Sequence, residues 1–424
     1  PDWSRGLGDV YKRQVAGVVA ELEAMPEVTL LPRTTVFGYM DHNYITLTER
    51  VTDHLGERPT HLPRQRMWKV RAGQTVLAQG AHERPLVFSG NDLPGVMLSG
   101  AVRSYITRYG VVPGNRTVVF TNNDDAYRTA LALHGAGAHV VVVDLRRDLK
   151  GELVKAVRAA GIEVMSGSAV TIAAGTQRIA RVEISPVNEG STQVLDDPIH
   201  MDCDLLAMSG GLTPAVHLHS QARGKLGWDE QQLCFKPTTV HEASFNAGAG
   251  NGVFATDKAI ENGMQAGTAA ARAAGFDIAD SSAPEVAAPA QSWRPLAAWK
   301  VTNGMGEGEG PKAFVDYQND VTASDVKLAV REGYQSVEHV KRYTTLGMAT
   351  DQGKTSNING LAILAESLGN EIPQVGTTTF RMPYTPSGFG AIAGREIGDL
   401  FDPVRLTRMD DWHRANGATF EHVG

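Results

Sequence analysis

Apolar and polar positions along this chain fall into short blocks of two kinds. Residues 15–25 read as a helix. Glu27-Val-Thr-Leu-Leu31 and Val36-Phe-Gly-Tyr-Met40 carry the β-branched and aromatic content of strands. Gln74-Thr-Val-Leu-Ala-Gln-Gly-Ala81 is an apolar strand running into Gly-Ala. Beyond residue 112 the blocks alternate. Arg116-Thr-Val-Val-Phe120 reads as a buried strand and residues 124–137 as a helix with Ala126, Ala130, Leu133 and Gly137 on one face. His139-Val-Val-Val-Val-Asp144 is the next strand, followed by a helix over 152–160 and a strand over 162–165. Alternation of this kind predicts a parallel, doubly wound sheet.

The remaining chain is punctuated differently. A polar hairpin region spans about residues 170–200, and Asp204-Leu-Leu-Ala-Met-Ser-Gly-Gly211 returns as a strand. The glycine string within residues 245–254 precedes a helix over 260–275. Residues 277–311, rich in Ala, Pro, Ser and Gly, read as a linker. Residues 312–370 form a compact helical module, opened by Thr322-x-x-Asp325, a capping box with Asp in place of Glu. Val326, Ala329 and Val330 then keep helical spacing. Thr377-Thr-Thr-Phe-Arg381 has strand composition, and residues 402–424 read as the entry to another domain.

Composition narrows the function classes. A length of 424 residues is enough for two or three domains with real cores. The net charge of −7, with no run of Lys or Arg, argues against nucleic-acid binding. Two cysteines, Cys203 and Cys234, argue against a disulfide framework and read as inert buried thiols. No apolar run approaches the roughly 18 residues that span a bilayer, and no signal peptide is visible. Residues 1–14 have neither helix nor strand logic and read as a non-native leader. Both ends read as cut, so a fragment is expected.

Four motifs bear on chemistry. In the strand–turn–helix at 117–137, a nucleotide fold wants three glycines where backbone approaches a pyrophosphate. Thr121, Asn123 and Ala126 stand there, so this unit reads either as a nucleotide site or as a degenerate scaffold. Asp144 stands where a carboxylate would hold a ribose hydroxyl, with Arg146 and Arg147 close behind. Second, Gly80-Ala81 before His-Glu-Arg-Pro85 reads as a chain crossing whose small residues admit a cofactor, or as a tight turn. Third, Gly248, Ala249 and Gly250, before a long helix, complete such a site. Val36 is placed with them. Fourth, Asp351-Gln-Gly-Lys-Thr-Ser356 reads as the corner of a [2Fe-2S] module with its cysteines removed. Asp351, Ser356, Asp316 and Gln318 occupy the ligand places, and a cluster needs thiolates. Lys354, Thr355 and Ser356 at the following helix start read as a seat for a flavin phosphate, or as ordinary capping.

Taken in order, the motifs resemble the alpha subunits of heterotetrameric sarcosine oxidases over essentially residues 15–424. The most specific stretches are Met25-Pro-Glu-Val-Thr-Leu-Leu-Pro-Arg-Thr-Thr-Val-Phe-Gly-Tyr39, Glu83-Arg-Pro-Leu-Val-Phe88 and Ser336-Val-Glu-His-Val-Lys-Arg-Tyr-Thr-Thr-Leu-Gly-Met-Ala-Thr-Asp-Gln-Gly-Lys-Thr355. Met409-Asp-Asp-Trp-His-Arg-Ala-Asn-Gly-Ala-Thr-Phe-Glu421 is similar to the entry of an aminomethyltransferase-like folate domain.

The resemblance implies an α/β fold of two dinucleotide-binding domains plus a small helical, cysteine-free ferredoxin-like module. Residues 15–112 and 201–276 would form the remainder of the first dinucleotide domain and 113–200 the second. Residues 277–311 would link them to the module at 312–400, with 401–424 opening the folate domain. The first nucleotide-gripping βαβ unit would precede Val15. The implied activity is oxidative demethylation of sarcosine in a cytoplasmic complex with beta, gamma and delta subunits. Products are hydrogen peroxide with formaldehyde or methylenetetrahydrofolate. FAD would sit on the beta subunit, with FMN at the alpha–beta interface. A non-catalytic NAD would sit on this chain, with tetrahydrofolate on the C-terminal domain. No residue of this chain is expected to be catalytic and none to hold a metal. The alternatives are a subunit of a related opine, proline or cyanide-forming dehydrogenase, and a non-catalytic scaffold.

Overall fold

The computed structural model describes residues 15–279, 283–284, 294–306 and 308–421. The leader, residues 1–14, lies outside them, as do most of residues 280–293 in the linker. Helix α1 covers residues 15–23 and stands largely exposed. Strands β1 (Thr34–Met40), β2 (Tyr44–Arg50) and β3 (Gln65–Arg71) form an antiparallel meander, with Tyr39 opposite Ile45 and a register shift at Val36/Gly38. Strands β4 (Thr75–Leu77) and β5 (Ala81–Glu83) follow, parted by Gly80 at φ 76°.

The central layer is a five-stranded parallel sheet. It draws on β6 (Val96–Leu98), β7 (Arg116–Thr121), β8 (His139–Asp144) and β9 (Glu163–Ser166), in an order completed below. Valine runs such as Val140–Val143 suit a strand covered on both faces. Helices α2 (Ser99–Tyr109), α3 (Asp125–Gly135) and α4 (Glu152–Ala159) cover one face. Ala126, Ala130 and Leu133 are fully buried beneath α3, the stripe the spacing predicts. The other face takes a hairpin sheet, β10 (Ser168–Gly175), β11 (Ile179–Pro186) and β12 (Ile199–Asp202). This hairpin is polar on one side only, because Val170, Ile172, Val182 and Ile184 pack into the core.

Strand β13 (Leu205–Ser209) then inserts between β6 and β7, giving the order β6-β13-β7-β8-β9. Strand β14 (Leu212–Pro214) pairs with β5, and the short α5 (His217–Gln221) leads to the hairpin β15 (Lys225–Asp229) and β16 (Cys234–Thr239). Strand β17 (Ser244–Asn246) lies parallel to β4, and α6 (Thr256–Ala273) follows a 3-10 turn at Gly248–Asn251.

The small module contains β18 (Phe314–Asp316), β19 (Val321–Thr322), α7 (Ala323–Arg331), α8 (Val337–Thr344), α9 (Asn357–Leu368) and α10 (Ile372–Val375). Val326, Ala329, Val340 and Leu361 form its interior. Helices α11 (Phe389–Ala393) and α12 (Asp410–Ala415) end the described chain, with Phe389, Val404 and Trp412 exposed. Among the described residues no helix is long and apolar enough to cross a membrane.

Four expectations need correction. Residues 27–31 and 377–381 are not strands, because no neighbouring strand pairs with them. The Thr379 N–H instead donates to Glu338 Oε1 at 2.7 Å. Residues 74–81 break into two strands rather than one. Part of the linker is core. Ala298 and Val301 are buried, Leu296 N–H donates to the Asn122 carbonyl at 3.1 Å, and Val301 N–H to that of Val87 at 2.8 Å.

The capping box at α7 forms in both directions: Asp325 N–H donates to Thr322 Oγ1 at 3.2 Å, and Thr322 N–H to Asp325 Oδ2 at 2.8 Å. Thr322→Ala is expected to lower stability by about 1 kcal/mol in urea unfolding, with Thr322→Ser retaining most of it. An unchanged midpoint would mean that packing alone holds α7.

Candidate functional site

The first dinucleotide region is built by the parallel pairing of β4 with β17, which sets Asn246 beside Leu77. The chain ends beyond these strands therefore meet. A Cβ on Gly250 would lie 3.5 Å from Gly80 N. The Gly80 carbonyl accepts from Ala215 N–H at 2.9 Å. Gly248 holds φ 61°, and its N–H donates to Asn262 Oδ1 at 3.0 Å. Gly80, Ala81, Gly248, Ala249 and Gly250 thus share one strip of small residues. Val36 packs beside it through the cluster of Tyr39, Leu77 and Leu218. A Cβ on Gly80 would meet nothing within 4 Å, so the strip has an open side. It fits the backbone flank of a dinucleotide, where side chains would crowd a ribose or pyrophosphate.

Next to Ala81, His82 borders a cavity shared with Phe235, Lys354, Phe380 and Tyr384. Burial holds both His82 and His217 below the usual imidazole range, His217 down to about 3, so both are neutral. His217 stacks on Tyr384 at 14°. Lys354 Nζ donates to the carbonyls of Tyr384 at 3.0 Å and Asp351 at 3.1 Å, and lies 4.0 Å from the Tyr384 ring centre. Thr355 faces a different cavity, with Pro85, Asn91 and Tyr317. Ser356 is fully buried and donates to Asp316 Oδ2 at 3.3 Å. The three consecutive residues do not form one anion seat; each enters a different environment.

The cysteine-free corner is closed by hydrogen bonds. Asp316 is 1% exposed and accepts from the N–H groups of Gln318 at 3.0 Å, Asn319 at 3.1 Å and Gly347 at 2.8 Å, besides Ser356. Gln318 Oε1 accepts from Asp351 N–H at 2.7 Å. All four places that a cluster would ligate converge. Cys203 and Cys234 lie elsewhere, buried, with thiols that burial pushes up to about 12.

Residues 310–395 match the sarcosine oxidase A3 domain. The chain is 44% identical over 412 residues to the sarcosine oxidase alpha chain of Corynebacterium sp. strain P-1, covering 97% of this chain and 42% of that protein. It is a homologue of sarcosine oxidase alpha subunits. The chain spans less than half the length of that relative. An opine oxidase component of Agrobacterium tumefaciens strain Ach5 is more distant, 22% identical over 76% of this chain and 70% of that protein. Among solved structures, L-proline dehydrogenase from P. horikoshii superposes with a TM-score of 0.59 at 17% identity, over 85% of this chain and 64% of that one. That likeness shows the fold, an α/β architecture with parallel sheets.

In this alpha-subunit homologue the second nucleotide turn is filled by its own side chains. Asn123 N–H donates to Thr121 Oγ1 at 3.1 Å and Asp125 N–H to Asn123 Oδ1 at 3.0 Å, so amides that would face a pyrophosphate are taken. Asp144 is fully buried and bonded to Tyr127 OH at 2.8 Å and to Arg146 at 2.7 Å; Arg146 also reaches Asp124 at 2.7 Å. The carboxylate therefore has no free face for a ribose. In the sequence Arg146 stood only as a neighbour of Asp144, and Asp316 only as a vacated ligand place. The buried i,i+2 pairing of Asp144 with Arg146 at a strand end was the available signal.

Two outcomes follow from this geometry. Replacing Asp316, Gln318, Asp351 and Ser356 together by Cys is expected to yield visible absorption of a [2Fe-2S] cluster on reconstitution with iron and sulfide, while the parent yields none. A parent cluster spectrum, or none in the variant despite native circular dichroism, would contradict the convergence of these four places. Second, burial raises Glu83 from 4.5 to about 7, although Gly100 N–H donates to its Oε2 at 2.7 Å. The folded state then keeps a proton that the unfolded state has released, so stability falls as pH rises from 4.5 through about 7. Glu83→Gln should flatten that slope in unfolding measured across this range.

Proposed function

We propose that this chain is the dinucleotide-fold part of the alpha subunit of a sarcosine oxidase. The complex oxidises sarcosine with oxygen and water to glycine, formaldehyde and hydrogen peroxide, or passes the methylene carbon to tetrahydrofolate. Its partners are beta, gamma and delta subunits, and its compartment is the cytoplasm. The observation that carries the reading is 44% identity along 97% of the chain, running through the thiolate-free corner. The closed corner and the filled second nucleotide turn support a binding and organising role.

In this reading Gly80, Ala81, Gly248, Ala249 and Gly250, with Val36 behind them, hold the backbone flank of a non-catalytic NAD. The corner and the His82–Lys354 cavity form the flank toward an FMN shared with the beta subunit. Flavin, including FAD on the beta subunit, supplies the two-electron chemistry when bound. This chain's residues bind, orient and exclude water: the neutral His82 and His217 and the carbonyl-bonded Lys354 line an interior with no free charge.

The test is co-expression with the three partner subunits, followed by assay of sarcosine-dependent peroxide and identification of bound cofactors. Peroxide formation with NAD, FAD and FMN present is the expected result. Turnover of another secondary amine in place of sarcosine would sink the substrate assignment and leave the architecture.

A further inference from the structure

Three cations meet on the outer side of the corner. Lys341 and Arg342 come from the last turn of α8, and Arg381 from the segment after α10. Two contacts dock that segment: Thr379 N–H on Glu338 Oε1 at 2.7 Å, and Gln352 Nε2 on the Pro383 carbonyl at 2.8 Å. The three cations line one open groove with Glu338, Met348 and Gln352.

Their counter-charge is incomplete. Among the described residues, neither Lys341 nor Arg381 has a hydrogen-bond or ion-pair partner. Arg342 lies 3.8 Å from Glu338, whose other oxygen is taken by Thr379. Three positive groups face one negative group, leaving a formal excess of two. Burial lowers the Lys341 ammonium, Glu338 offsets part of that, and the neighbouring Arg381 and Arg342 lower it again. Like charges held together are costly unless an anion joins them. The groove wall is rigid, because Gly347 N–H is tied to Asp316 at 2.8 Å and Asp351 N–H to Gln318 at 2.7 Å.

We propose that this groove binds the dianion of a phosphate monoester or free phosphate. Two guanidinium forks and one ammonium match its charge and its several acceptor oxygens. The site is distinct from Lys354, which is already bonded to carbonyls, and it rests on no part of the sarcosine reading.

The test uses the 424-residue chain. Lys341 is labelled with an amine-reactive reagent, with and without inorganic phosphate or FMN, and labelling is read by mass spectrometry. Phosphate should protect Lys341, and calorimetric affinity should fall about 10-fold in Lys341→Gln/Arg381→Gln at unchanged circular dichroism. FMN competing for the same protection identifies a flavin phosphate as the source; phosphate protection without FMN competition identifies free phosphate or another ester. No protection by either, or affinity unchanged in the double variant, overturns the proposal. Protection in the parent chain does not depend on how the variant folds.

Discussion

A buried guanidinium organises this molecule. Arg84 is 3% exposed, yet no carboxylate meets it among its hydrogen-bond partners. It donates twice to the Gly210 carbonyl, at 2.8 and 3.0 Å, and once to that of Leu233 at 2.7 Å, and lies 5.1 Å from the Trp299 ring centre. Burial pulls its pKa down to about 10, which still leaves it charged at neutral pH. An unsolvated buried charge costs several kcal/mol, so carbonyl dipoles must take the place of water. Those dipoles come from separate parts of the chain, the end of β13 and the β15–β16 turn, while the ring comes from the segment before the small module. The backbone repeats the tie, Gly210 N–H to the Arg84 carbonyl at 2.7 Å and Arg84 N–H to that of Gly211 at 2.8 Å. Asn359 of α9 reaches the next residue, Pro85, at 2.9 Å. The crossing between dinucleotide regions is therefore tied by one cation, next to the point where the small module docks.

The small module shows how a metal's structural role is replaced. A cluster ties four side chains from two loops through strong bonds. Here one carboxylate, Asp316, gathers N–H and O–H groups from both loops, and Gln318 adds the link to Asp351. Hydrogen bonds to a charged acceptor contribute roughly 1.5–3 kcal/mol each, and several together hold the corner. What they cannot replace is the redox couple.

Much of this was legible in the sequence, and the failures have common causes. The parallel sheet was readable because Val140–Val143 must be covered on both faces, and α3 because Ala126, Ala130 and Leu133 repeat at helical spacing. The convergence of Asp316, Gln318, Asp351 and Ser356 was readable from motif spacing. Residues 27–31 and 377–381 were misread because β propensity forms a strand only where a neighbour offers an edge. The composition of 277–311 hid Ala298 and Val301, whose burial depends on the Val87 surface they meet. Lys354, Thr355 and Ser356 were grouped by adjacency. Successive positions entering a helix turn by about 100°, so neighbours in sequence face different surroundings.

Two of the ligand positions that the fold offers are thus filled from within, and by the same means. At the second nucleotide turn, Arg146 stands between Asp124 and Asp144, and Asn123 takes the amide that a phosphate would want. At the corner, Asp316 stands in a ligand place and gathers the groups that a metal centre would tie. In both places a buried charge satisfied by protein groups is costly to expose, so an incoming ligand would have to break several short bonds before making its own. The strip at Gly80 and Gly248–Gly250 differs. It has no side chain to withdraw, and a Cβ added at Gly80 would point into open space. The strip is therefore bare where the turn and the corner are filled, and those two filled places make the scaffold rigid.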